Sequence, residues 1–257
     1  HAKLASGQPV YDGFVIHRYA GLARINQCAA APAATDPRQI TRNAGVPVIR
    51  IVAQTDVLGT YRRRRDDSDE RGDAYRLYEV AGAPHADAAF YRHIPSLKDQ
   101  AAAGTQPYLA FWPFGEQCTP EIPLMEFPVM RYVVNAAFAN LDRWVRDGVP
   151  APKAARIEVK DGGTPQAALA TDQFGNAIGG VRSPYLDVPA ATYYASTPGP
   201  GTCGNLGRKE AFSWARLETI YGAHSKYASK FGEAVDRLVK ERWLTESDAR
   251  KLKAEVR

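Results

Sequence analysis

Several things are scarce in this sequence, and each scarcity closes off a class of function. No stretch comes near the roughly 18 consecutive apolar residues that a membrane-spanning helix needs. The three cysteines, Cys28, Cys118 and Cys203, show no C-x-x-C spacing and have no histidine beside them, so a zinc or iron–sulfur site lacks ligands in the required pattern. No cofactor or metal is implied. Aromatic and basic residues are not interleaved as they are on platforms for single-stranded nucleic acid. The formal charge of +5 is modest and dispersed. Its one dense run, Arg62 to Arg65, is followed at once by Asp66, Asp67, Asp69 and Glu70, which cancel its field beyond a Debye length of ~8 Å. A solvated, partly self-paired loop is expected there, not a nucleic-acid or membrane patch. The opening HAKLASGQPV carries no signal-peptide pattern and no Met precedes His1, so a processed, nicked or truncated product is expected.

What is present suits a sizeable core: 257 residues, 45% of them hydrophobic, with Gly 21 and Pro 18 near ordinary usage. The first half carries three apolar, β-branched runs, Val10 to His17, Val46 to Ala53 and Ala74 to Val80, each bounded by turn or loop signals. The second run is too short for an isolated helix and reads as a central parallel strand. Between the first two runs, Pro37 is placed to open a short helical turn. Val133, Val134, Ala137, Phe138, Leu141, Trp144 and Val145 recur at helical spacing within Pro128 to Asp147, a helix expected to end at Gly148 with Trp144 and Phe138 as core anchors. Strand-like runs at Ala154–Val159 and Val188–Ala195, with turns at Gly162-Gly163 and Phe174-Gly175-Asn176, suggest a small β-rich elaboration. Helices are expected at Ala211–Tyr221 and Ser225–Glu241, and a last one opened by Thr245 with Asp248 in a capping-box position. The expected class is α/β. Residues 1–95 form the sheet portion, and residues 96–257 add a helix, the β-rich part and terminal helices on the same domain.

Two polar residues follow two of the strands. Asp56 stands just beyond the apolar run that ends at Ala53, at the carboxyl end where open α/β sheets place their ligands. His85 follows the next strand in the small-residue loop Gly82-Ala83-Pro84-His85. Either alone can be a turn residue or a surface histidine. Together, on consecutive strand ends, they can form a pair in which the carboxylate accepts the Nδ1 proton and leaves Nε2 free to act as a base. Acid before histidine is the chain order of α/β-hydrolases. Glu79 and Asp87 are the alternative acids, but one lies inside a strand and the other beyond the histidine.

The strings VYDGFVIH, VPVIRIVAQTDVL, YRLYEVAGAPHAD, NAAFANLDRWVRDGVPAP and DQFGNAIGGVRSPYLDVP, which together cover most of the chain, resemble the C-terminal part of a bacterial family of α/β-hydrolase-domain proteins. The resemblance implies a serine hydrolase, with Asp56 and His85 matching the acid of the family's "TD" motif and the base of its "AGxxHAD" motif. One expected part is missing. A nucleophile elbow, G-x-S-x-G or a close variant, should precede the first strand, and Ser6, Ser183, Ser213 and Ser225 all lack its strand–turn–helix context. The serine is therefore expected on an N-terminal segment or companion polypeptide, and the expected activity is hydrolysis of a small-molecule carboxylic ester. A non-catalytic binding module on the same fold and an amide or peptide hydrolase are the alternatives.

Phe111, Trp112 and Phe114 form the one dense aromatic cluster in loop-like chain, suited either to an acyl or aryl pocket or to core packing. Cys118 and Cys203 lie in Pro- and Gly-rich contexts where a disulfide would restrain flexible chain; separate free thiols are the other possibility. Secretion or a periplasmic location follows from the cysteine reading and the resemblance. Gly179 to Tyr185 is a family string whose glycines suit a tight turn and whose Arg182 suits a structural ion pair.

Overall fold

The computed structural model describes residues 3–17, 33, 36–87, 97–104, 118, 129–201 and 203–256. In it the three apolar runs become β1 (Phe14–His17), β2 (Val48–Ala53) and β3 (Tyr75–Val80) of one parallel sheet, in the order β1-β2-β3. Every residue of β2 and β3 is buried. Burial on both faces suits strands with no polar–apolar alternation and fits a parallel sheet covered on both sides. β1 starts four residues later than its apolar run, at the hydrogen bond from the Phe14 N–H to the Pro47 carbonyl (2.9 Å). The cause is Asp12-Gly13, turn residues inside the run, which leave Val10 and Tyr11 exposed before the ladder begins.

The α-helices before the β-rich part are α1 (Val57–Thr60), α2 (Leu97–Ala102) and α3 (Val129–Asp147) among the described residues. α3 packs on β1 and β2, burying Val133, Ala137, Leu141 and Trp144, and ends at Gly148 with φ 66°. Phe138 corrects the expectation of a core anchor: it is 57% exposed. It stands one position beyond Ala137, which faces the sheet, and the turn of roughly 100° per residue swings its ring outward.

The run Arg62 to Arg65 is also corrected, since much of it is built into the fold. Glu79 lies inside β3 and is 1% exposed; its carboxylate accepts from Arg64 (2.6 and 2.7 Å) and from the Ile157 N–H (2.9 Å). Arg65 is buried and pairs with Asp73 at 2.9 Å. Arg76, 1% exposed, donates to the carbonyls of Ala151 and Ser68, pairs with Asp69 and stacks over the Trp144 ring at 4.5 Å. A charge placed inside a two-sided strand requires such partners, because unpaired burial is costly. The adjacent charged loop supplies them.

The second half forms two small antiparallel pairs, β4 (Val159–Lys160) with β5 (Ala168–Leu169), and β6 (Ala191–Tyr194) with β7 (Arg208–Ala211). The Ala154–Val159 run yields little strand because Ile157 gives its N–H to Glu79 and its carbonyl to Arg64. Gly180, at φ 73°, crosses β3 so closely that a Cβ would lie 2.6 Å from the Glu79 carbonyl oxygen. Only glycine fits that approach. Next comes α4 (Pro184–Asp187), where Arg182 pairs with Asp187 at 2.8 Å. The chain then forms α5 (Trp214–Tyr221), α6 (His224–Lys240) and α7 (Glu246–Glu255). Thr245 caps α7: its hydroxyl accepts from the Asp248 N–H (3.1 Å) and donates to the Asp248 carboxylate (2.9 Å). One hydrophobic core runs from β2 and β3 through Leu186 to Phe231, Leu238 and Leu252, so the sheet portion and the later helices share it. Among the described residues no helix is long and apolar enough to cross a membrane.

The loop charges carry a pH-dependent part of the stability. Lys153 and Arg76 beside Asp69 hold its carboxyl below the usual carboxylate range. A depressed folded value means the stabilisation is present above the unfolded value, about 3.9, and is lost as pH falls through the folded one. Asp69→Asn is therefore expected to lower the urea midpoint at neutral pH, with the gap to wild type closing below pH ~4. A gap that stays constant across that range would show that the carboxylate charge contributes nothing.

Candidate functional site

β2 and β3 are in register to their ends, with Ala53 opposite Val80, so the residues after each strand emerge at the same edge of the sheet. After β2 the chain turns through a 3-10 segment, Gln54–Asp56, directly into α1. The Thr60 hydroxyl donates to the Asp56 carbonyl at 2.9 Å, which fixes the turn. After β3, Gly82 takes φ 74°, and a Cβ there would lie 2.8 Å from Leu186, so the loop can fold tightly over α4 only with glycine at this point. The Gly82 N–H donates to the Gln54 side-chain oxygen at 2.6 Å, joining the two turns across the strand ends.

Asp56 and His85 meet in this arrangement. His85 Nδ1 lies 2.9 Å from both Asp56 carboxylate oxygens. A carboxylate only accepts, so the contact requires a proton on Nδ1, and in the neutral imidazole that tautomer leaves the lone pair on Nε2. Both side chains are partly exposed, His85 at 34% and Asp56 at 23%. That leaves the imidazole reachable while its orientation is held.

The loop around His85 is held on three sides. The Ala81 N–H donates to the Val181 carbonyl (3.0 Å), the Ala86 N–H to the Asn205 carbonyl (2.9 Å), and the His85 N–H to the Thr55 hydroxyl oxygen (3.1 Å). The Thr55 hydroxyl itself donates to the Ala195 carbonyl. Cys118 and Cys203 are joined in a disulfide, with Cys203 opening the 3-10 turn Cys203–Asn205. Sequence reasoning did not single out Gln54 and Thr55; the available signal was two hydrogen-bonding side chains directly between a buried strand and the candidate acid.

Glu79 is engaged by Arg64 and Ile157, and so belongs to the fold's internal ion pairing, away from the imidazole. Asp87 is buried. Phe111, Trp112 and Phe114 lie outside the described residues, as does Cys28. A separate apolar cavity of about 280 Å³, lined by Trp214, Leu217, Tyr221 and Tyr227 among others, opens between α5 and α6 without involving Asp56 or His85.

The described serines do not form an elbow. Ser183 has φ −89° and ψ 167°, ordinary extended backbone before the four-residue α4. Ser213 caps α5, accepting from the Arg216 N–H at 3.3 Å, and Ser225 lies within α6. Among the described residues the non-glycine positions with positive φ are Asn43, Asp161 and Arg242, so no described serine sits in a left-handed, strained turn.

No curated protein and no solved structure gives a significant match to this chain. A family model does: the one described as "Alpha/beta hydrolase domain" matches residues 1–254. With a parallel sheet, flanking helices and a family match over nearly its whole length, the chain belongs to the alpha/beta hydrolase domain family.

Proposed function

We propose that this chain furnishes the acid and the base of a serine-dependent hydrolase of carboxylic esters, Asp56 and His85, and that the nucleophilic serine comes from polypeptide outside these residues. The family assignment supports a hydrolase in general. The observation that carries the finer reading is the His85 Nδ1–Asp56 contact, 2.9 Å to each oxygen, at the carboxyl ends of adjacent parallel strands. In the reaction, the serine oxygen attacks the ester carbonyl as His85 Nε2 takes its proton, while Asp56 holds the ring and stabilises the imidazolium. His85 then protonates the departing alcohol, and a water activated in the same way releases the acid. One oxyanion donor comes with the nucleophile, as the N–H of the residue after it, and the other from an earlier strand loop, also outside these residues.

A docking place for that polypeptide is supported by apolar surface beside β1. Leu4, Val10 and Tyr11 are exposed at 52%, 42% and 59%, and on α3 Phe138 and Val145 are exposed on either side of Leu141, which packs on Gly13. Exposed apolar side chains on both of these elements are what a docking partner would cover. The Cys118–Cys203 disulfide favours an oxidising compartment, secreted or periplasmic.

Fluorophosphonate labelling of the full-length protein, read by peptide mass analysis, tests the proposal. The expected result is a single labelled serine outside these 257 residues, with loss of hydrolysis of a p-nitrophenyl ester. A labelled serine within the chain, or an active preparation that takes no label, would overturn it.

A further inference from the structure

We infer that Thr55 is a positioning residue for His85, and that it works by coupling the histidine loop to a strap formed by residues 195–201 and 203–206. The inference rests on the reading of His85 as the base. The Thr55 hydroxyl has one proton to give and gives it to the Ala195 carbonyl; the same oxygen accepts the His85 N–H at 3.1 Å. One side chain thus ties the acid's turn, the base's backbone and the end of β6 together. The strap then returns to the histidine from the other side. The Thr197 hydroxyl donates to the Leu206 carbonyl at 2.8 Å, Leu206 bridges Ala86, and the Ala86 N–H donates to the Asn205 carbonyl at 2.9 Å. His85 and Ala86 are therefore anchored on successive backbone N–H groups, one through Thr55 and one directly, to two points of the same segment. Ala195, Thr197, Cys203 and Leu206 are all buried, and the two bonds through Thr55 are part-buried, which limits the access of competing water.

The physical need for such an anchor comes from the exposure of the site. Nδ1 holds both Asp56 oxygens, but that contact fixes the ring only relative to a side chain that is itself 23% exposed. A base that must meet a serine oxygen within hydrogen-bond reach needs its backbone fixed as well, because a displacement of about 1 Å costs on the order of 100-fold in rate. The Thr55 hydroxyl supplies that constraint at the residue before the acid. A valine at position 55 keeps the branched shape and removes both hydrogen bonds; a serine keeps the hydroxyl and removes a methyl.

The experiment compares wild type, Thr55→Ser and Thr55→Val in two assays. In NMR of this chain, the strongly deshielded proton shared by Nδ1 and the carboxylate, and slow exchange of the His85 and Ala86 amides, are expected in wild type and Thr55→Ser. Both are expected to weaken in Thr55→Val. In the full-length protein, Thr55→Val is expected to lower kcat by about 10- to 100-fold with KM changed less than about 2-fold, and Thr55→Ser to recover most of the loss. A Thr55→Val protein with wild-type amide exchange and an unchanged Nδ1 proton would overturn the inference whatever the protein hydrolyses. If instead those signals are lost while kcat holds, the positioning stands and the assignment of His85 as base fails.

Discussion

Replacing His85 with alanine in the full-length protein is expected to lower kcat for ester hydrolysis by about 10⁴-fold or more, and Asp56→Asn by about 10⁴-fold, while the melting temperature barely moves. Two magnitudes separate these effects. A 10⁴-fold loss corresponds to roughly 5.5 kcal/mol of transition-state stabilisation. The pair contributes little to folding, since both side chains are partly exposed, and exposed ion pairs are typically worth about 0–1 kcal/mol. Asn at position 56 can turn its amide N–H₂ toward the ring and favour the wrong tautomer, with the proton on Nε2, so the shape survives and the base is lost. The effects should not add. The double variant is expected to fall only slightly below His85→Ala, because an acid that orients a base has nothing to do once the base is gone. Steady-state kinetics with circular dichroism melts on the same preparations would check both halves. Turnover within a few-fold of wild type in either single variant would remove that residue from the mechanism.

The fold and the site were readable to different depths in the sequence, and the reasons are physical. β2, β3, α3 and α7 were legible because their signals are local: dense β-branched runs, a 3.6-residue periodicity, and a Thr cap with Asp three positions on. The meeting of Asp56 and His85 was legible because each stands a few residues past the end of one of those strands. The illegible features depend on contacts distant in sequence. Phe138 carries the same periodic signal as Trp144, and only the rotation of α3 on the sheet puts one outside and the other over Arg76. Arg64 reads as a loop charge because its partner, Glu79, looks like one outward-facing residue in a strand; both are drawn inward because β3 is covered on both faces. The bond from Thr55 to Ala195 joins residues 140 positions apart, and no pattern around position 55 points to it.

The Arg64–Glu79 pair should show the largest stability effect among these internal charges. Glu79→Ala leaves the Arg64 guanidinium, 18% exposed, with the Ile157 carbonyl as its remaining hydrogen-bond acceptor here, and it strips the Ile157 N–H of the carboxylate. Removing one partner of a buried pair costs about 3–5 kcal/mol, because the remaining charge keeps its desolvation penalty without the attraction that offset it. At roughly 2–4 °C per kcal/mol for a chain of this size, a fall in Tm of about 10 °C is expected, by calorimetry or by circular dichroism. Arg64→Ala should be comparably harmful, leaving a 1% exposed carboxylate held by one N–H. The informative variant is the double replacement, Glu79→Leu with Arg64→Met, which removes both desolvation penalties along with the attraction. It should melt above either single variant, since apolar side chains of similar volume often match or exceed a buried ion pair. If both singles instead shift Tm by less than about 2 °C, water reaches the pair past Arg64, and its worth is that of a surface contact. The consequence reaches the site, because the Glu79 carbonyl accepts the Val181 N–H at 2.7 Å and the next residues lead into the His85 loop. A loosened β3 end would therefore lower activity as well, and more steeply with temperature than the Thr55 variants, since here the loss comes from a shrinking folded fraction and there from a misplaced base.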